Sequence, residues 1–215
     1  MPYGPIVPWA EYHVTPRYLA GATSAGDLAL RPLLNRGWHL THDELGNVLV
    51  AAPDHTVRPG HLPEGDDDAL WKITAYSDPF AMPRWLVTFQ DSAATEIVAG
   101  FTTALAAAYA EGPDSYVYYN SNLAALDVGT SLAAVGWGHS YGTADVSFHS
   151  PDGMAEVHLR RSRLDHTAEM TGHQERWLTL AGPPDNRWYA TASSFTPEWL
   201  CTRERPALRH GFERR

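Results

Sequence analysis

The sequence predicts an α+β fold in which a four-stranded antiparallel sheet with one helix occurs twice in tandem, the two copies packed as one compact unit. Both halves contain a Gly-Trp pair, a Pro-Asp turn and a Trp-led strand in the same order, at offsets between 98 and 106 residues. Each half also ends in a stretch with the helical spacing of apolar residues. We therefore divide the chain into an N-terminal arm (1–30), a first copy (31–112), a connector (113–130) and a second copy (131–215).

The composition is typical of a folded chain. Of the 215 residues, 44% are hydrophobic and 11% are aromatic, which excludes an intrinsically disordered class. No run of about 18 apolar residues occurs, so the sequence predicts neither a membrane span nor a membrane partner. The N-terminus lacks the basic region and apolar core of a secretory signal. Because Cys201 is the only cysteine, no intramolecular disulfide can form, and we expect a cytoplasmic protein.

Residues 1–30 are rich in proline, glycine and alanine, which predicts an extended arm. A short helix is predicted near residues 27–35. Two strand-like runs follow, at 38–42 and 47–51. Gly46 and Asn47 between them offer the positive φ angles of a tight turn, which indicates a β-hairpin.

The remaining strands of the first copy are predicted at 56–62, 71–75 and 84–89. The first of these contains Pro59, which removes one ladder hydrogen bond and predicts an edge or bulged strand. The other two alternate between apolar and polar residues, as strands that are buried on one face do.

The clearest predicted helix covers residues 95–110, where apolar side chains recur at helical spacing. Ser92 is its predicted N-cap, and the Gly-Pro pair at 112–113 ends it. The corresponding helix of the second copy begins at Thr196 as N-cap, with Pro197 at the first helical position. Between the copies, the connector opens with a tyrosine run at 116–119, which predicts an aromatic strand or strap before a polar linker.

No combination of residues indicates a catalytic or metal site. Eleven histidines are scattered without the spacings of metal ligands, and His39 and His42 would point to opposite faces of a strand. Asp66 to Asp68 suggest calcium, but the alternating ligands of a calcium loop are absent, so a solvated turn is expected. A P-loop, a nucleophile elbow and a dinucleotide-binding fingerprint are also missing. We therefore expect a non-enzymatic protein without a cofactor or metal.

Six of the eight tryptophans form matched pairs across the copies, namely Trp38 with Trp137, Trp71 with Trp177, and Trp85 with Trp188. Aromatic residues at equivalent positions of repeats usually belong to the core. The alternative is a stacking platform on the sheet face that the helix leaves free, where bases contact the rings and arginines neutralise phosphates. The sequence leaves both interpretations open.

The net charge of −9 comes entirely from residues 1–130, which hold 6 basic and 15 acidic residues, whereas residues 131–215 hold 10 of each. Because negative potential repels a polyanion, a nucleic-acid surface is expected on the second copy. Its predicted members are mostly arginines, whose planar head groups suit phosphate. They are Arg160, Arg161, Arg163, Arg187, Trp188, Arg203 and Arg205.

Residues 60–73 and 14–21, together with the doubled Pro-Asp turn, resemble the SPDY-motif family of actinobacterial proteins of unknown function, usually present as two copies. The tyrosine of the naming motif is absent, since the two turns read Ala-Pro-Asp-His at 52–55 and Ser-Pro-Asp-Gly at 150–153. The resemblance implies no catalytic residues. A duplicated unit of four strands and a helix is also similar in architecture to the Whirly and PUR-alpha single-strand-binding modules.

These features predict a protein that binds DNA, single-stranded or locally opened, on an exposed sheet face. One alternative is a protein-interaction or oligomerisation module, in which the acidic first copy and the tyrosine run contact a partner or a second subunit. Exposed sheet edges also predict a homo-oligomer. Another alternative, a ligand or hydrolase site between the copies, requires a pocket in which His and Asp side chains converge.

Overall fold

The computed structural model describes residues 26–63, 65, 69–118, 124–197 and 199–200. Within these residues the α+β class is confirmed, with ten strands and five helices. The strands are β1 (His39–His42), β2 (Val48–Ala51), β3 (Val57–His61), β4 (Trp71–Ala75), β5 (Trp85–Phe89), β6 (Gly138–Tyr141), β7 (Asp145–His149), β8 (Ala155–Arg160), β9 (Trp177–Ala181) and β10 (Trp188–Ala192). The helices are α1 (Gly26–Leu34), α2 (Thr95–Glu111), α3 (Pro113–Tyr116), α4 (Ala124–Ala134) and α5 (His166–Met170). None of these helices is long and apolar enough to cross a membrane.

All ten strands form one antiparallel sheet, in the order β1-β2-β3-β4-β5-β10-β9-β8-β7-β6. Each half of the sheet is a meander of five strands, whereas the predicted repeat had four. In the first half the five strands coincide with the five strand-like runs found in the sequence, so the predicted repeat counted one strand too few. Every residue of the edge strands β1 and β6 is exposed.

The pairing registers of the two halves match about an axis between β5 and β10. The first residue of β4 pairs with the last residue of β5, and the first residue of β9 pairs with the last residue of β10. Where the halves meet, Thr88 pairs with Thr191, and their hydroxyl oxygens lie 2.7 Å apart. Because these two threonines hold equivalent positions in their strands, the sheet has an approximate twofold axis at this pair.

One face of the sheet is covered by helices and contains the core. Trp85 and Phe89 of β5 pack edge-on against Phe101 of α2, with ring centroids 6.5 and 5.7 Å apart. Helix α1 packs beside α2. In the second half α4 approaches the sheet closely, since a Cβ on Gly129 would lie 3.1 Å from the ring of Phe148. Among the described residues, the opposite sheet face is the one that these helices leave uncovered.

Strand β3 is an interior strand, although Pro59 predicted an edge or bulged one. The N–H of Leu62 donates to the carbonyl oxygen of Leu70 at 2.7 Å, towards β4. Because N–H groups alternate in direction along a strand, the nitrogen of Pro59 faces β2. Strand β2 pairs with β3 at His61 and Gly60. The ladder between these two strands therefore ends before Pro59, the residue that lacks an N–H.

Helix α2 confirms the prediction for residues 95–110. Its N-cap is Ala94, which makes no side-chain cap bond, and not the predicted Ser92. The connector begins with α3 at 113–116, so Tyr116, the first residue of the predicted aromatic strand or strap, ends a helical turn. Helix α4 begins at Ala124, before the predicted start of the second copy at 131. Predicted features at 1–25, at Asp66 to Asp68 and at 201–215 lie outside the described residues.

Candidate functional site

The sheet face opposite the helices, which we call the open face, carries the side chains that alternate away from the core. Many of them are charged or form hydrogen bonds. They include Arg58, Lys72, Thr74 and Thr88 from the first half and Ser147, Glu156, His158, Arg160 and Tyr189 from the second. Polar groups from both halves thus share one continuous surface.

The described tryptophans belong to the helix side of the molecule. Six of them are at most 5% exposed, namely Trp38, Trp71, Trp85, Trp177, Trp188 and Trp199. Trp137 is half-buried. The predicted stacking role of Trp188 is therefore corrected, because its strand position turns the ring towards the helices and away from the open face. The structure favours the core interpretation of the tryptophan pairs.

Two of the predicted interface arginines are engaged in ion pairs. Arg160 Nη2 lies 2.8 Å from Glu175 Oε1, and Arg187 Nη1 lies 3.3 Å from Glu156 Oε1. Both guanidinium groups are partly exposed, so each pair is screened by solvent and contributes little to stability. Each pair nevertheless holds its guanidinium in a defined place.

Two further predicted arginines are free within the described part of the chain. Arg161 and Arg163 follow β8, are exposed, and form no ion pair with another described residue. They can reach an anion without giving up a partner. Arg203 and Arg205 lie outside the described residues, so the predicted seven-residue interface is reduced to five that can be placed.

A groove of about 450 Å³ lies on the open face of the first half. Most of its lining surface is apolar and includes Leu49, Pro59 and Leu62, while Arg58, Lys72, His39, His55 and Thr74 add polar groups. Cationic and hydroxyl groups that line one concave surface favour a phosphate-bearing ligand. This groove was not among the predicted sites.

Arg58 is held firmly at the groove. Its guanidinium lies 4.4 Å from the centroid of the Tyr76 ring, which is a cation-π contact. Its Nη2 donates to the carbonyl oxygen of Pro79 at 2.6 Å, and its Nε donates to that of His55 at 3.3 Å. The side chain is therefore positioned without a carboxylate partner among the described residues.

Sequence reasoning missed the groove because the first half is acidic overall. Two of these acids are engaged in turns: the carboxylate of Asp43 accepts hydrogen bonds from Asn47, and that of Asp54 accepts two from Thr56. A signal was present, since Arg58 and Lys72 fall on one face once β3 and β4 are paired. The net charge of the first half does not show that two of its acidic side chains lie in turns while Arg58 and Lys72 share one face of the sheet.

A hydrogen-bonded network crosses β7 and β8 on the open face. Ser147 Oγ lies 2.9 Å from His158 Nδ1, and His158 Nε2 lies 3.2 Å from Glu156 Oε2. Hydroxyl, imidazole and carboxylate in this order activate serine nucleophiles in hydrolases. These three side chains lie outside the groove, and no cluster of three or more metal-ligating side chains occurs among the described residues.

Glu156 is the anionic centre of this network. Burial raises its pKa, but hydrogen bonds from His158 and Arg187 outweigh that effect, so the pKa lies below the ordinary value of a glutamate. The carboxylate is therefore ionised at neutral pH and anchors Arg187. Sequence reasoning did not find the network because its members come from two strands whose register the sequence does not reveal.

The helix side of the second half contains an apolar cavity of about 280 Å³. Strands β8, β9 and β10 form its floor, and α2 and α4 form its walls. Aromatic rings make up much of the lining, namely Phe89, Phe101, Trp137, Trp177 and Trp188. None of its described lining residues is charged.

The size of this cavity is energetically significant. At about 24 cal/mol per Å³, a closed and empty cavity of 280 Å³ would destabilise the protein by about 7 kcal/mol. That is comparable to the whole free energy of unfolding of an ordinary domain, about 5–15 kcal/mol. Because the cavity is partly open to solvent, this figure is an upper bound on its cost.

Comparison with known proteins gives a match for part of the chain. Residues 51–110, which include β3, β4, β5 and most of α2, match the model of the SPDY family, described as a domain of unknown function (DUF317). No curated protein and no solved structure matches the chain. The matched segment contains Arg58 and Lys72, while His39, Thr41, Leu49 and Val50 of the groove precede it.

Proposed function

We propose that the protein binds nucleic acid without catalysing a reaction on it, and that the ligand is DNA, single-stranded or locally opened. The observation that carries this proposal is the presence of cationic side chains from both halves on one helix-free sheet face. Arg58 and Lys72 line the groove in the first half, and Arg160 lies on the same face in the second. A sheet face with such groups suits an extended sugar-phosphate strand.

Phosphate contacts are expected first from Arg161 and Arg163, because neither has to leave a carboxylate within the described chain. Arg160 and Arg187 would share their guanidinium groups between glutamate and phosphate. Since the net charge of −9 repels a polyanion at long range, affinity depends on these local groups.

Base contacts are expected to be few, because the described tryptophans belong to the core. Tyr189 on the open face and Tyr76 beside Arg58 are half-buried aromatic side chains within reach of that surface. Binding should therefore depend strongly on salt and weakly on base sequence. Such a ligand fits the cytoplasmic location expected from the sequence.

The proposal extends to the organisation of the chain. The two five-stranded halves have the same strand order and matching registers, which supports their origin as tandem copies of one unit. The Whirly and PUR-alpha modules provide an analogy for how a duplicated sheet can bind a single strand, and carry no further argument.

Fluorescence anisotropy with labelled single-stranded and duplex oligonucleotides tests the proposed function at about 50 mM and about 200 mM salt. We expect the single strand to bind more tightly than the duplex, and its affinity to fall at least about tenfold between the two salt concentrations. If neither oligonucleotide binds at the lower salt concentration, the proposed function is wrong.

A second candidate function is self-association through the sheet edges. Every residue of the edge strands β1 and β6 is exposed, and an unpaired edge can add a strand from another copy. In the tyrosine run Tyr116 is buried and Tyr118 is 50% exposed, so only part of that run could contact a partner. Sedimentation velocity over a range of protein concentrations distinguishes a monomer from an associating species.

A further inference from the structure

The apolar cavity occurs where the second half of the sheet has smaller side chains than the first. The registers identify the equivalent positions, since Trp71 pairs with Phe89 as Trp177 pairs with Ala192. At the position of Phe89 the second half therefore has Ala192. A large side chain that the scaffold accommodates in one half is missing in the other.

Three further positions on the cavity floor follow the same pattern. Ala190 stands where the first half has Val87, and Thr179 stands where it has Ile73. On the neighbouring strand, Ala155 pairs with Ala181 as Val57 pairs with Ala75, so alanine replaces valine. All four smaller residues, Ala155, Thr179, Ala190 and Ala192, line the cavity. The space is thus a consistent difference between two similar halves and not a single packing defect.

Thr179 gives this floor a side-chain hydroxyl. It lies between Val157 and Ala190 on the helix side of the sheet, and its hydroxyl has no hydrogen-bond partner among the described residues. The other threonine of the lining, Thr191, is bonded to Thr88. A hydroxyl in an apolar cavity without a partner is unfavourable, so a ligand atom that bonds to it gains affinity.

We propose that this cavity binds a small neutral aromatic molecule with one hydroxyl or carbonyl group, which hydrogen-bonds to Thr179 Oγ1. The aromatic walls formed by Trp137, Trp177 and Trp188 favour a flat ring. The uncharged lining excludes an ion. An apolar cavity of about 150 Å³ holds benzene, so one of about 280 Å³ accommodates a two-ring molecule.

The rival occupant is the stretch of the same chain that follows Leu200, which itself lines the cavity. Its sequence continues with Arg203, Glu204 and Arg205 and then Pro206. No described lining residue could pair with these charges, so this stretch could enter the cavity only with its apolar side chains. The melting temperature of the Ala190→Val, Ala192→Phe variant distinguishes this occupant from the small molecule.

Isothermal titration of the full chain with 2-naphthol, and with naphthalene as the analogue without oxygen, tests the proposal. We expect one 2-naphthol per chain, bound about fivefold more tightly than naphthalene through the added hydrogen bond. Thr179→Val keeps the shape of the side chain and removes its hydroxyl. It should lower the affinity for 2-naphthol to that for naphthalene and leave naphthalene binding unchanged, whereas a merely structural effect would lower both.

The double substitution Ala190→Val with Ala192→Phe introduces the residues that the first half has at these positions. It should abolish binding of both compounds and raise the melting temperature of the unliganded protein, because it fills the space. The control Leu178→Val changes β9 on the open face and should leave binding unchanged. Two results would overturn the proposal: no binding of either compound to the wild type, or a lowered melting temperature in the double variant, which would mean that the chain already fills the cavity.

Discussion

Asp54 connects the Pro-Asp turn of the first half to the helices that follow the sheet. Its carboxylate accepts hydrogen bonds from Thr56 N–H and Oγ1 at 3.1 and 2.7 Å, and it is hydrogen-bonded to Tyr109. The Thr56 hydroxyl also lies 2.9 Å from that of Tyr116, and Trp85 Nε1 donates to the Tyr116 carbonyl oxygen at 2.7 Å. This network holds the turn against the helices that follow the sheet.

The same network predicts a loss of stability at alkaline pH. Burial, the hydrogen bond to Asp54 and the charge of Asp54 raise the pKa of Tyr109 from 10.0 to about 12. The folded state therefore favours the protonated tyrosine, so this contribution is intact below pH 10.0 and is lost as the pH rises to about 12. We expect Tyr109→Phe to lose less stability than the wild type over this range. Denaturant unfolding at several alkaline pH values measures the difference, and equal losses would contradict the assignment.

Glu156 predicts the opposite dependence on the acidic side. The pKa of Glu156 is lower in the folded than in the unfolded state. Its contribution to the free energy of unfolding is therefore present above the pKa of an unfolded glutamate, and it is lost as the pH falls through the pKa of the folded state. Glu156→Gln should cost about 0.5 kcal/mol at neutral pH, the screened value of a surface ion pair. The difference from the wild type should vanish at about pH 3. Glu44→Gln, at an exposed hairpin position, serves as the control; the same loss in that variant would exclude a specific role for the network.

At the scale of residues, the sequence predicted types of environment better than it predicted partners. The tryptophan pairs could be recognised as equivalent, yet only the strand register decides that Trp188 faces the helices. Arg58 and Lys72 were undervalued because total charge conceals which face each side chain occupies. The partners of Arg187 and His158 are determined by the pairing of neighbouring strands. That pairing cannot be inferred from a single sequence.

At the scale of elements, the edge strands are the least protected part of the sheet. Leu40 in β1 is 38% exposed and Tyr141 in β6 is 73% exposed. Leu40→Lys with Tyr141→Lys should prevent association, because charged edge residues oppose pairing between copies. Sedimentation velocity should then give the monomer mass of 23.7 kDa at all concentrations. Leu45→Lys, in the exposed hairpin turn, should leave association unchanged; loss of association in that variant as well would argue against edge pairing.

The elements differ in how well the sequence predicts them. Helix α2 was found because seventeen residues with consistent apolar spacing leave little ambiguity. Its N-cap was missed because Ala94 makes no side-chain cap bond, so no capping residue marks the start. The prediction for β3 was wrong because the effect of Pro59 depends on the neighbour that its nitrogen faces, and the β2 ladder has ended there.

At the scale of the whole molecule, one continuous sheet joins the two halves. They pair directly through β5 and β10, and their buried aromatic residues belong to one core. We therefore expect a single cooperative unfolding transition, in which tryptophan fluorescence and far-ultraviolet circular dichroism coincide. Two separate transitions would show that the halves are independent domains.

The approximate twofold symmetry gives the molecule two surfaces of different character. The open face carries polar and cationic groups of both halves, whereas the helix side has a filled core in the first half and a cavity in the second. The similarity of the two halves could be inferred from the sequence. The cavity could not, because the equivalence of Phe89 with Ala192 becomes visible only when the registers are compared.

The central claim, phosphate binding beside the open face, is tested most directly by the salt dependence of DNA binding in an Arg161→Ala, Arg163→Ala variant. Each lost phosphate contact reduces the slope of log affinity against log salt by about one. Anisotropy titrations with a labelled single strand should therefore give a slope smaller by about two than that of the wild type. Arg36→Ala, at the end of α1, should retain the wild-type slope. Equal slopes in the wild type and the double variant would contradict the account.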